Sequence, residues 1–361
     1  MTRLRDLGLT VGGLPVGGHN AITDVRGVAV GHATVIRGDD VRTGVTVVET
    51  RPGSPRDEPV FAGAFTLNGN GEFTGLEWVR ESGLLAGPIA LTNTHSVGVV
   101  RDTLAVDEAK QAAVKMFWGL PAVAETYDGV LNDINGQHVT AEHVHAARAA
   151  AAPGPVAEGN VGGGTGMICH EFKGGIGTSS RVVDGGDAPW TVGALVQANY
   201  GARDQLRVDG RPVGRYVPTS ELPSPFDTVR AWPPRGSGSI IIVVATDAPL
   251  LPDQCRRLAV RSFVGLSRAG GYGQDGSGDI AIAFSTANHP PAELYDEQRV
   301  PWTFEITSVP HQRITPLLLA AVEATEEAIL NALLQAETMT GRDGVTAHAL
   351  TGERLLQALS V

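Results

Sequence analysis

At 361 residues, with 42% hydrophobic and only 19% charged positions, the chain can bury one sizeable core or two ordinary ones, which excludes intrinsic disorder. A net charge of −11 with no run of Lys or Arg argues against a nucleic-acid partner and is compatible with a cationic or amine-bearing ligand. Two cysteines, Cys169 and Cys255, exclude a disulfide framework and a cysteine-rich metal site, and are expected as reduced packing residues.

The opening MTRLRDLGLTVGGLPVGG lacks a continuous apolar stretch, and no segment approaches the roughly 18 uninterrupted apolar residues of a membrane span. A soluble, cytoplasmic protein without a membrane partner is the expectation. The strand signals begin with GVAVGHATV (27–35) and TGVTVVET (43–50), β-branched runs bounded by turn residues that read as a hairpin. PIALTNTHSVGVVRD (88–102) starts as a buried strand and turns at Thr92 to Ser96; TLAVDEAKQAAVKMFW (103–118) then has helical spacing. After PAVAETYDGVLNDING (121–136), Thr140 is expected to cap a short helix over 140–151. The segment 157–183 is glycine-dense, WTVGALVQANYG (190–201) is a strand, and 202–236 is an irregular excursion.

The apolar run at 240–246 is a further strand, and Pro252 suits the first turn of a helix over 252–268. GDIAIAFST (278–286) alternates as a strand; the stretch 314–341 reads as the longest helix, capped by Thr315, started by Pro316 and ended by Gly341. Strands and helices without regular alternation predict a layered α+β sandwich.

For chemistry, GNVGGGTG (159–166) lacks the Lys-Ser/Thr ending of a phosphate loop, so close backbone packing is the better reading. His95, His170, His289 and His311 sit in no triad context, no G-x-S-x-G elbow is present, and no H-E-x-x-H supports zinc. The Gly238–Ser239 junction, set directly against the apolar run, offers another base. If the Ser239 hydroxyl attacks the Gly238 carbonyl and water cleaves the ester, residue 239 becomes a terminus. Its α-amine, titrating near 8, is then beside its own nucleophile.

NAITDVRGVAVGHATV, LNGNGEFTG, LTNTHSVG, VAETYDGVLNDING, GNVGGGTGM, GSIIIVVATDAPLLP, GSGDIAIAFSTAN and EATEEAILNALLQAETMTGRDG, in this order, resemble the L-aminopeptidase D-Ala-esterase/amidase family of self-processing serine aminopeptidases, which includes the β-peptidyl aminopeptidases. The resemblance runs from about residue 8 to 345. It implies a four-layer αββα sandwich resembling N-terminal nucleophile hydrolases but with distinct topology. It also implies one hydrolase domain over 1–361, cut into a large (α) chain 1–238 and a small (β) chain 239–361.

By that resemblance Ser239 is the nucleophile, with cleavage after Gly238, assisted by Ser277 and Asp279. Asn199 matches the oxyanion-stabilising position, Glu125 the residue that binds the substrate's amino group, and Tyr127 a pocket position. Whether the α-amine or the Ser277/Asp279 pair is the base stays open. The implied reaction removes an N-terminal residue from small peptides, amides or esters, with no metal or organic cofactor, in a homo-oligomer that is a tetramer of processed αβ units. The alternatives are an acyltransferase of the ornithine acetyltransferase type, whose nucleophile is threonine, and a non-catalytic small-ligand-binding homologue.

Overall fold

The computed structural model describes residues 2–53, 58–112, 117–229, 234–291 and 300–361. Two sheets form its centre. In chain order the strands are β1 (Ala29–Arg37), β2 (Val41–Glu49), β3 (Val60–Gly69), β4 (Leu84–Leu85), β5 (Ile89–Asn93), β6 (Ala122–Thr126), β7 (Ile168–Cys169), β8 (Phe172–Lys173), β9 (Gly175–Asp184), β10 (Pro189–Asn199), β11 (Ser239–Thr246) and β12 (Gly278–Ser285), followed by the short β13 (Met339–Thr340) and β14 (Thr346–Ala347). One sheet has the order β1-β2-β5-β6 and the other β4-β3-β12-β11-β10-β9. The helices are α1 (Leu76–Ser82), α2 (Val97–Gln111), α3 (Ala141–Ala149), α4 (Pro252–Arg268), α5 (Thr315–Leu334) and α6 (Gly352–Leu359).

Three apolar layers separate four structural ones. Helices α2 and α3 bury Val100, Leu104 and Val144 on the four-stranded sheet, against Val45, Val47 and Val123. Between the sheets, Val48, Ile89 and Leu91 meet Leu195, Ile241 and Ile282. On the far face Leu258, Phe263, Leu317 and Ile329 of α4 and α5 cover Val196, Ile240 and Ile242. The result is the expected αββα sandwich.

Strand β11 shows why the sequence carries an unbroken apolar run. Ile240, Ile242 and Val244 face the helices, while Ile241, Val243 and Ala245 face the other sheet. Side chains alternate across a strand, so one buried on both faces has no polar phase. Each fully buried Val or Ile contributes roughly 1.5–3 kcal/mol.

Several boundaries differ from the sequence expectation. Helix α2 starts at Val97, because Val97, Val100 and Leu104 share a face that packs on the sheet, and it ends at Gln111 rather than 118, with Ala112 extended and 117–118 outside any helix; 113–116 lie outside the described residues. Thr140 does occupy the N-cap of α3. In α5, Thr315 is the first helical residue rather than the cap, and Pro316 lies in the first turn. The helix ends at Leu334, well before Gly341. There Met339 and Thr340 pair instead with Ala347 and Thr346, and a Cβ on Gly341 would lie 2.1 Å from the Leu131 carbonyl oxygen, so that glycine serves a close approach. The 202–236 excursion contains three short 3-10 turns, with 230–233 outside the described residues.

The glycine-rich segment packs as backbone. A Cβ on Gly163 would meet Gln197 Oε1 at 2.2 Å, and one on Gly164 would meet Ile176 N at 2.4 Å. Cys169 and Cys255 are free and buried. Arg181, fully buried on β9, pairs with Glu323 (3.1 Å) and Glu327 (2.7 Å) of α5 and so ties the helix to the sheet edge.

Candidate active site

The register of three adjacent strands builds the site. Asn199 of β10 stands opposite Ser239 in the antiparallel ladder, and Ile240 is level with Asp279 in the parallel one. The end of β10 and the starts of β11 and β12 therefore share one edge of the sandwich. The ends of β5 and β6 in the other sheet bring Thr94 and Glu125 to it, where Glu125 Oε2 accepts from the Thr94 hydroxyl at 2.5 Å. Together they open on a cavity of about 940 Å³ lined by Glu125, Tyr127, Asn199, Gly238 and Ser239. That is large enough for a small organic ligand.

Gly238 adopts φ +139°, and a Cβ there would lie 1.9 Å from the Asn199 carbonyl oxygen. Only glycine fits both the torsion and the space. Ser239 is buried, and its Oγ accepts from the Gly278 N–H at 2.9 Å. Ser277 Oγ lies 2.6 Å from Asp279 Oδ2 and 2.7 Å from the Gln274 carbonyl oxygen, so its single proton has two acceptors in range. Burial pushes the Asp279 carboxyl up to about 6, against the hydrogen bonds from Ser277 and the Ile240 backbone.

The Asn199 amide is held at both ends. Its Oδ1 accepts from Ile168 N–H at 2.8 Å and its Nδ2 donates to the Tyr127 carbonyl at 3.0 Å. One amide proton is left for the cavity. Glu125 Oε1 accepts from Glu72 N–H at 3.0 Å, and burial raises its carboxyl above the usual range. Among the described residues it has no ion-pair partner within the site, which leaves a carboxylate suited to an incoming ammonium. Tyr127 lines the cavity, and burial raises its hydroxyl above the ordinary value; its backbone carbonyl orients Asn199.

All seven residues named from the sequence thus converge. Sequence reasoning passed over three others. The Gly278 N–H, inside the quoted GSGD, donates to Ser239 Oγ. Asn68, inside LNGNGEFTG, donates to the Gln274 carbonyl at 2.8 Å and so braces the turn that carries Ser277. His95, read as structural, lines the cavity, whereas His170 is buried, and His289 and His311 pair with Arg51 and Arg257.

The model of peptidase family S58 matches residues 20–347. The chain belongs to peptidase family S58. It is an aminopeptidase of that family and has the N-terminal nucleophile type of fold. It is 48% identical to the β-peptidyl aminopeptidase BapA of Sphingosinicella microcystinivorans, over 96% of this chain and 89% of that one. Among solved structures, a Burkholderia β-aminopeptidase is 54% identical with a TM-score of 0.93, covering 99% of this chain and 98% of that one. The L-aminopeptidase D-Ala-esterase/amidase of Ochrobactrum anthropi, described as a prototype for the serine aminopeptidases and a new variant of the Ntn hydrolase fold, is 42% identical with a TM-score of 0.89, covering 100% and 98%. Neither the acyltransferase nor the non-catalytic alternative finds support among these S58 relatives. Among the described residues, no helix of this S58 chain is long and apolar enough to cross a membrane.

Proposed function

We propose that this S58 aminopeptidase matures by cutting its own chain between Gly238 and Ser239, and that the serine so exposed removes N-terminal residues from small peptides, amides or esters. The observation that carries the reading is the junction itself: a glycine at φ +139° pressed on Asn199, followed by a buried serine at the edge of the cavity. Ser239 Oγ attacks the Gly238 carbonyl carbon and the peptide nitrogen leaves as the amine. Water then hydrolyses the ester to a Gly238 carboxylate. In turnover the same oxygen attacks the substrate acyl carbon, the leaving amine or alcohol takes the proton, and water releases the acyl group.

The Asn199 Nδ2 proton facing the cavity is the oxyanion donor, in a role worth about 3 kcal/mol in comparable sites. Glu125 takes the substrate ammonium, and Tyr127 shapes the pocket wall. The proton passes to the free Ser239 amine or to the Ser277/Asp279 pair. The names of the two β-aminopeptidase relatives favour β-aminoacyl substrates. In this reading the chain is one hydrolase domain over 1–361, cut into 1–238 and 239–361, and works in the cytoplasm as a homo-oligomer, a tetramer of processed units. Exposed Trp118, Trp302 and Phe304 supply apolar surface for that association.

Intact mass under denaturing conditions tests the reading. Two pieces, the smaller beginning at Ser239, are expected from the wild type and a single chain from Ser239→Ala. A single wild-type chain that nonetheless hydrolyses aminoacyl amides would overturn it.

A further inference from the structure

Lys173 is among the largest side chains with no solvent exposure, and it forms no ion pair among the described residues. Its ammonium donates instead to three backbone carbonyls, of Gly174 (2.7 Å), Met167 (2.8 Å) and Gly164 (3.3 Å). An unpaired buried charge costs several kcal/mol, and a methionine of similar length would fill the same space without that cost. Burial accordingly pushes the lysine down to about 7.

The Met167 carbonyl leads towards the reaction centre. It belongs to the same peptide unit as Ile168 N–H, which donates to Asn199 Oδ1 at 2.8 Å. The carbonyl also accepts from Gly174 N–H at 2.9 Å, so that peptide is held rigidly. A flipped Asn199 amide would set its NH2 against Ile168 N–H and its oxygen against the Tyr127 carbonyl, so the surroundings permit one orientation. Hydrogen bonds in series polarise one another in a low-dielectric interior. Three carbonyl acceptors match the three N–H groups of the ammonium form, and in that form the lysine at the head of this series draws electron density from the Asn199 amide and strengthens its remaining N–H as a donor.

We propose that Lys173 is a positioning residue for the reaction, acting through the Met167–Ile168 peptide to orient and polarise Asn199. The proposal rests on Asn199 being the oxyanion donor. Lys173→Met and Lys173→Gln are made in the wild-type and Asn199→Ala backgrounds, with folding checked by thermal melting. The readouts are the half-time of precursor cleavage, and kcat and KM of the mature enzyme on β-alanine 4-nitroanilide and L-alanine 4-nitroanilide.

The expected result is a fall in kcat of about tenfold or more for Lys173→Met, with KM within about twofold, a smaller loss for Lys173→Gln, and a loss below about threefold in the Asn199→Ala background. Asn199→Ala with unchanged rates would overturn the oxyanion reading and this proposal with it. A slow Asn199→Ala enzyme in which the lysine variants lose the same factor as in the wild-type background, or lose nothing in either, would overturn only the proposal. Failure of both lysine variants to fold would do the same and mark the lysine as a stability element.

Discussion

Replacing Gly238 by alanine isolates the geometry of the proposed scissile bond. The added Cβ would sit 1.9 Å from the Asn199 carbonyl oxygen, far inside the 3.0 Å that real Cβ atoms essentially never breach. Asn199 cannot retreat, because it is laddered to Ser239 and its amide is held by Ile168 and Tyr127. Residue 238 must therefore leave φ +139°, a torsion that costs a side-chain-bearing residue about 1–3 kcal/mol. Relieving the clash shifts the peptide joining 238 and 239 by about 1 Å relative to the Asn199 amide, a misplacement that costs on the order of 100-fold in rate. Gly238→Ala precursor is accordingly expected to cleave about 100-fold more slowly or worse, followed by intact mass against time at 25 °C beside the wild type. Cleavage within about threefold of the wild-type rate, or faster, would refute the idea that this backbone shape aligns the bond.

Activity should fall as pH drops through about 6, where Asp279 takes up a proton and no longer accepts from Ser277; Asp279→Asn should erase that acid limb. The same raised carboxyl binds its proton more tightly folded than unfolded. Its stabilising effect is thus fullest below the ordinary Asp range near 4 and is lost as pH rises through about 6, by up to roughly 3 kcal/mol, readable in the melting of uncleaved Ser239→Ala protein. Glu125→Gln should raise KM for free-amine substrates by about tenfold or more and leave N-acetylated amides unaffected; equal effects on both would exclude an ammonium contact. Arg181→Met leaves Glu327 to Arg5 and Asn20, and Glu323 to the Gly13 and Leu14 N–H groups; it should cost about 1.5–3 kcal/mol in urea unfolding of the Ser239→Ala precursor, and a change below about 1 kcal/mol would show that the buried triad is neutral overall.

Strands were the most legible part of the chain, since the β-branched runs at 27–35, 43–50 and 240–246 become β1, β2 and β11 to within about two residues at each end. Helix limits were not. The helix was expected from 103, and the β-branched Val97, Val99 and Val100, weak helix formers, join it through their packing on the four-stranded sheet. Gly341 read as a stop signal because turn chemistry is local, whereas its actual constraint is a carbonyl of Leu131, far away in sequence. In the site, the residues found were side chains inside long motifs. The Gly278 N–H was missed because any residue but proline offers that donor. Lys173 was missed because a lone lysine beside glycines gives no sign that it ends up wholly enclosed.

The order of strands gives the proposed cut a further consequence. β11 and β12 lie together in the middle of the six-stranded sheet, between β3 on one side and β10 on the other, and α4 and α5 cover them. A break before Ser239 would leave two chains, neither owning the whole six-stranded sheet, with β11 and β12 of the smaller seated between β3 and β10 of the larger. The intact precursor would refold as a single chain; a processed unit, once unravelled, would need two different partners to meet again. Maturation would then act as a ratchet. It would turn a fold recoverable at any dilution into one whose survival depends on never coming apart, so that its lifetime is set by the rate of opening.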